Sequence, residues 1–568
     1  MRSFKLADLL AISSPTGPAS GPWLVGAEDS LDFIRQNALN DEIVIYACTR
    51  SVLVHGVLGL TRKLTQENIS ELQNRNIPMP DDSWRIQQVW GGGQGHRMYL
   101  EAPLVSVSDA LVGGEKLIFR RSFIGVSRGR APIELSQKLI HSLELHFVPE
   151  RNAYCRLDSH GDIEDVVRVI HQDGASESDA VDVVVIQRSE LDKFMALSKQ
   201  CLVLRFDFTR VPWGSFAGWG ELAHYSKDDT DLYYHGGSNS QGSYCNGIMV
   251  VRPQVTVAEL VKRWKAEEDI ATRKYATFKI YDRKNDSNVE TSCAPEFLSN
   301  YFQKSELPWE ISPAFFRAEV LHRFKADPEK YSLEDRSISC RNAWYLKTYD
   351  INESGQVHTY IGYLADLPYE EQLYWQAFNE WPKGPISKRA FQTDIIGDWY
   401  LEHEPLGALK RTISKLDAAS PAWWKKRGED LADAVHYPAT DSVKEWGDEI
   451  LALDQFLVEG FLLKRLRALA EAGGRTVESS WGSIRVLQEV LSASGHSDDS
   501  AKALVVPMQR LHALRTEVKG HATVEKKRAA EVKARTDFGS LRAHFRTLVS
   551  DCESALNSVL ASLGIALD

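Results

Sequence analysis

Residues 441–472 read DSVKEWGDEILALDQFLVEGFLLKRLRALAEA. Trp446, Ile450, Leu453, Leu457, Phe461, Leu466 and Leu469 recur there at helical spacing, which puts one apolar stripe on one side of a helix. The spacing predicts a single helix from 441 to 472, closed by Gly473–Gly474. Downstream, similar periodicity predicts helices over about 480–493, 499–520 and 540–562. Pro507 kinks or restarts the second of these. Short links between long amphipathic helices imply antiparallel neighbours, so residues 402–568 read as a four- or five-helix bundle.

Upstream of Trp399 the pattern is different. Short aromatic and β-branched runs, punctuated by Gly, Pro, Asn and Asp, predict strands. They include Ile43–Cys48, Ser51–Leu58, Trp84–Trp90, Arg97–Leu104, Lys116–Val126 and Ala153–Leu157. Val181–Ile186 is continuously apolar and suits a strand buried on both faces. Ser189 reads as the N-cap of a helix through Gln200, and Leu202–Phe208 as the next strand. Ser226–Gly247, containing HGGSNSQGS, reads as a polar surface loop. A third block, 292–400, mixes short helices with strands Ala343–Tyr349 and Val357–Tyr363. The fold class is therefore α+β and multidomain, a β-rich mixed region followed by an all-α bundle. The expected division is 1–160, 161–290, a 291–401 segment packed on the preceding domain, and 402–568.

Composition narrows the function classes. At 568 residues, several domains are expected. A formal charge of −11 argues against a whole-surface nucleic-acid binder but allows a local basic patch. The seven Cys are odd in number, scattered and without a CxxC. They suggest neither a disulfide framework nor a thiolate zinc site, and fit reduced thiols in a cytosol. The N-terminal MRSFKLADLLAISSPTGP is too interrupted for a signal peptide, and no long apolar run is present. A cytoplasmic protein without membrane spans is expected.

Most candidate motifs carry no chemistry. GGGQGH (Gly91–His96) lacks the Lys-Ser/Thr of a P-loop and lies between strands, so it reads as a hairpin or bulged loop. His141 and His146 do not converge as metal ligands at their spacing, and no GxSxG elbow occurs. No metal and no cofactor are implied. The segment LHALRTEVKGHATVEKKRAAEVKAR (511–535) differs: Arg515 and His521 flank the helix end made by Lys519–Gly520. From Arg510 to Arg546 ten Lys or Arg face four Asp or Glu, a basic contrast within an acidic chain that suits an RNA backbone. A guanidinium and an imidazole at one helix end can stabilise a phosphorane-like transition state and move a proton.

This arrangement resembles the HEPN superfamily, helical bundles whose RNase members carry an Arg, four to six residues, then a His. The resemblance covers roughly 440–565. It implies metal-independent RNA cleavage, with Arg515 stabilising phosphate and His521 as the acid/base residue. Arg510, Lys519, Lys526, Lys527 and Arg528 would bind RNA, and a homodimer would pair the motifs. The first 400 residues resemble uncharacterised bacterial proteins, in stretches such as Leu307–Tyr331 and Pro368–Phe391. A large recognition part joined to a small effector is similar in layout to phage-defence proteins. Residues 1–401 would then bind a ligand or protein trigger. The other reading is a non-catalytic binding or scaffold protein whose bundle dimerises or docks a partner.

Overall fold

Val181–Gln187 is the strand around which the first half of the chain is built, and six of its seven residues are buried. The structure is a computed structural model. It describes the chain except residues 1–2, 14–20, 70, 73–76, 92–94, 121–132, 174–179, 213–215, 269–272, 400–402, 520–522 and 566–568. It divides into two units: residues 1–158 with 162–273, and residues 159–161 with 274–568. Among the described residues no helix is long and apolar enough to cross a membrane.

The first unit holds β1 (Glu42–Cys48), β2 (Val52–Leu60), β3 (Arg85–Gly91), β4 (Gly95–Glu101), β5 (His146–Val148), β6 (Ala153–Leu157) and β7 (Ile163–Gln172). It continues with β8 (Val181–Gln187), β9 (Gln200–Arg210), β10 (Ala223–Asp229), β11 (Leu232–Asn239) and β12 (Gly242–Val251). All of these except β3 and β4 join an eleven-stranded sheet in the order β10-β11-β12-β9-β2-β1-β8-β7-β6-β5, with Glu115–Lys116 paired to β2. One face packs Val54, Leu204, Phe206 and Phe208 into the main core. A smaller core around Val57, Val203, Ile248 and Leu111 covers part of the other face. The expected border at 160/161 does not hold: β6 pairs with β7 (Arg156↔Glu164), so a cut there would split one sheet. The border near 290 moves to 273/274, because Thr277–Asp282 pairs with Ser287–Ser292 and Pro313–Phe316.

Two local expectations are corrected. Gln187, not Ser189, occupies the N-cap position, and the helix runs Arg188–Ser198 until Lys199 turns left-handed (φ 59°). HGGSNSQGS is not a surface loop but the β11–β12 hairpin, whose turn is held by Asn239 Oδ1 accepting from the Gln241 and Gly242 amides. Its glycines serve close packing. A Cβ on Gly236 would sit 2.5 Å from the Tyr225 hydroxyl, and one on Gly237 3.0 Å from the Tyr244 ring.

In the second unit, Trp375 of helix Tyr369–Phe378 is fully buried and meets Phe316 edge-on at 4.9 Å. The aromatic stretch read at 368–391 thus contributes to a core. Among the described residues seven helices of ten residues or more follow: α1 (Pro405–Ala419), α2 (Val443–Leu457), α3 (Leu463–Ala472), α4 (Ser483–Ala493), α5 (Asp498–Lys519), α6 (Val524–Phe538) and α7 (Leu541–Ser562). They enclose one core containing Trp446, Ile450, Leu453, Leu457, Leu487, Met508, Leu511, Phe545 and Leu556. The bundle is larger than the four or five helices expected.

The predicted helix 441–472 is two helices. Gly460 lies against Trp424, where a Cβ would come within 2.3 Å of the indole. The Gly460 carbonyl accepts from the Lys425 amide (2.8 Å) and the Leu462 amide donates to Trp423 (2.8 Å). The 423–425 strip therefore takes backbone groups that a continuous helix would pair internally. Pro507 does not restart α5, which runs through it as one 22-residue helix. Buried Val505, Met508 and Leu511 hold both sides of the proline to the core, offsetting the lost backbone bond.

Lys325, in helix His322–Ala326, joins the β-containing part of this unit to α2. Its Nζ lies 2.8 Å from Glu445 and 3.0 Å from Glu449. Burial would raise the Glu445 carboxyl, but Lys325 and Thr440 outweigh it and hold the group down at about 2. A carboxyl lowered on folding contributes stability above its unfolded value, and that contribution is lost as pH falls toward 2. Lys325→Met is expected to cost about 3–5 kcal/mol at neutral pH, because it leaves two carboxylates buried without a counter-charge. In urea unfolding, the gap between variant and native protein should narrow as pH falls from about 5 toward 3; a gap independent of pH would refute the ion-pair account.

Candidate functional site

Besides Glu449, which Lys325 holds, α2 buries a second acid among its apolar residues. Asp454 follows Ile450 by four residues and precedes Leu457 by three, so helical geometry places it on the core face. Its side chain has no solvent exposure. Helix α5 runs antiparallel beside α2 and supplies the partners. His512 Nδ1 lies 3.0 Å from Asp454 Oδ1 and 3.2 Å from Oδ2. Arg515, one turn further along α5, brings its Nε to 3.9 Å from Oδ2. That Nε is buried without a hydrogen bond, so its tie to Asp454 is an ion pair alone. Thr516 donates its hydroxyl to the His512 carbonyl at 3.1 Å, a bond within α5.

Burial raises the Asp454 carboxyl above the ordinary aspartate range, against the opposing pull of His512 and Arg515. The His512 side chain is half exposed and that of Arg515 about a third. A carboxylate only accepts, so the imidazole nitrogen facing it carries the proton. Nε2 is then the nitrogen left to exchange protons. The cluster combines an oriented imidazole and a guanidinium, anchored from below by one buried acid. Among the described residues no group of three or more His, Cys, Asp or Glu could hold a metal ion.

The expected site residues are only partly brought together. Arg515 lies in the cluster, on the fifth long helix of the bundle rather than the third. His521 lies outside the described residues. Arg510 pairs with Asp551 of α7 at 3.5 Å, and Lys519 pairs with Asp448 of α2. Both cations are thus partly neutralised by carboxylates from neighbouring helices. Lys526 and Arg528 are exposed on α6 and Lys527 is half-buried there. The basic run forms helix α6, packed against α5 and α7. Asp454 and His512 were missed. The available signal was an acid set among the apolar residues of α2, with a His three residues before Arg515.

The chain matches no protein-family model, no curated protein and no solved structure.

Asp454→Asn tests whether the acid holds the bundle or serves the imidazole. The change removes both an ion pair and the cost of burying a charge, and these effects nearly cancel. Its melting temperature is expected within roughly 3 °C of the native protein, about 1 kcal/mol or less. Calorimetry showing a much larger fall would make Asp454 a structural anchor.

Proposed function

We propose that this chain is a metal-independent endoribonuclease, with the helical bundle as a HEPN-like effector and residues 1–401 as a recognition region. The observation that carries the reading is the buried Asp454 carboxylate holding His512 at 3.0 Å beside Arg515. An acid that fixes one imidazole nitrogen leaves the other poised for proton transfer, and an adjacent guanidinium suits a phosphate. In this reading His512 Nε2 takes the proton of a ribose 2′-hydroxyl. The 2′-oxygen then attacks phosphorus while Arg515 offsets the charge gathering on the phosphoryl oxygens. The bond from phosphorus to the 5′-oxygen breaks, and that oxygen takes up a proton. The HEPN resemblance gives His521 the acid/base role, and the 5′-oxygen is where a second proton carrier acts. The products are a 2′,3′-cyclic phosphate and a 5′-hydroxyl. Lys526 and Arg528, exposed on α6, suit backbone contacts that weaken as salt rises. The layout, a large recognition part with a small effector, fits a bacterial defence or stress protein.

The test is cleavage of end-labelled RNA by the purified full-length chain in EDTA. Cyclic-phosphate ends are expected. His512→Ala and Arg515→Ala should each slow cleavage by roughly 10²–10⁴-fold, and His521→Ala should reduce it as well. Native protein without activity, or variants cutting at the native rate, would favour a non-catalytic bundle that docks a partner.

A further inference from the structure

Strands β3 and β4 form a two-stranded ribbon, paired from Arg85↔Glu101 to Gly91↔Gly95. Neither pairs with any other strand among the described residues. Residues opposed across an antiparallel pair share a face. One face therefore carries Arg85 with Glu101, Gln87 with Tyr99 and Val89 with Arg97. It is satisfied within itself, since Arg85 and Gln87 both donate to Glu101. The other face carries Ile86 with Leu100, Gln88 with Met98 and Trp90 with His96. It bears no Asp, Glu, Lys or Arg, and it lies open: Ile86 is 67% exposed, Trp90 79%, Met98 68% and Leu100 66%. Trp84, at the base of the ribbon, is 61% exposed.

Such a ribbon is costly to leave bare. A lone two-stranded hairpin is marginal in water unless its apolar face is covered, and open apolar patches of this kind mark interaction sites. With aromatic side chains offering about 150–250 Å² each, the five exposed side chains present roughly 700 Å². That approaches the ~800 Å² per partner of a stable interface. We propose that a second copy of this chain covers the face, ribbon on ribbon, about a twofold axis lying across the strands at the Gln88–Met98 row. Under that axis Gln88 meets the partner's Gln88, Met98 meets the partner's Met98, and Trp90 packs over the partner's Ile86. A carboxamide both donates and accepts, so two Gln88 side chains satisfy each other. A lipid interior would leave Gln88 desolvated without a partner. The absence of charge on the face removes the repulsion that two identical charged surfaces would feel.

The test uses the full-length protein in sedimentation velocity over a concentration series. The native chain is expected to dimerise. Met98→Glu, at a solvent-exposed position, should keep the native melting temperature and weaken the dimer about 100-fold. Gln88→Cys should be joined to its copy by a short bifunctional thiol crosslinker, whereas Gln87→Cys on the opposite face should not. A monomeric native chain, or a dimer indifferent to Met98→Glu, would overturn the proposal. So would a monomer that floats with neutral phosphatidylcholine vesicles and loses this with Met98→Glu, since the face would then take lipid.

Discussion

Lys325 carries its ammonium group into the gap between Glu445 and Glu449, and its Nζ also donates to the Tyr437 carbonyl at 3.0 Å. The two carboxylates are tied down from their other side. Glu445 accepts from the amides of Ala439 and Thr440, and Glu449 from that of His436. The first turns of α2 are thereby locked to the 436–440 loop and to helix His322–Ala326 at once. Two buried acids are tolerable only because one cation and several backbone amides share them. The arrangement fixes where α2 starts and how it is rotated. Nine residues beyond Glu445, that rotation decides that Asp454 faces α5 rather than water.

The cluster at Asp454 is expensive for a bundle that needs only apolar contacts. The positions around it, Leu453, Phe456 and Leu457, are buried and hydrophobic. Apolar residues replacing the whole cluster would serve stability at least as well. Instead the acid is surrounded by the two side chains of α5 best suited to proton transfer and phosphate binding. Perturbed titration in a charged cluster with a solvent-facing edge points toward function more often than a paired surface charge does. The basic surface residues show the contrast. Arg510 and Lys519 find carboxylates on neighbouring helices, and exposed pairs of that sort contribute little.

Two hairpins of the first unit differ in how they use glycine and aromatic residues. In the β11–β12 hairpin the missing side chains at Gly236 and Gly237 admit the rings of Tyr225 and Tyr244. Composition alone made that stretch look like a flexible loop. The β3–β4 ribbon is the reverse case. Its alternation was readable, but its exposure was not, because alternation says only that one face is apolar and leaves open what covers it.

Periodicity along the chain determined the change from strands to helices near residue 400, the apolar stripe of α2 and the strand character of Val181–Gln187, because each of these is a property of neighbouring residues. The break at Gly460 escaped it, since Trp424 contests that turn from outside the helix. The border at 160 failed for a similar reason: β2 pairs with β9, from Val52↔Phe208 to Leu60↔Gln200, and binds distant segments into one sheet. Arg515 could be picked out by its spacing and basic surroundings. His512 and Asp454 could not, because the contact joins residues 58 positions apart. Only the packing of α2 against α5, which no local pattern specifies, turns an odd acid and an ordinary histidine into one site.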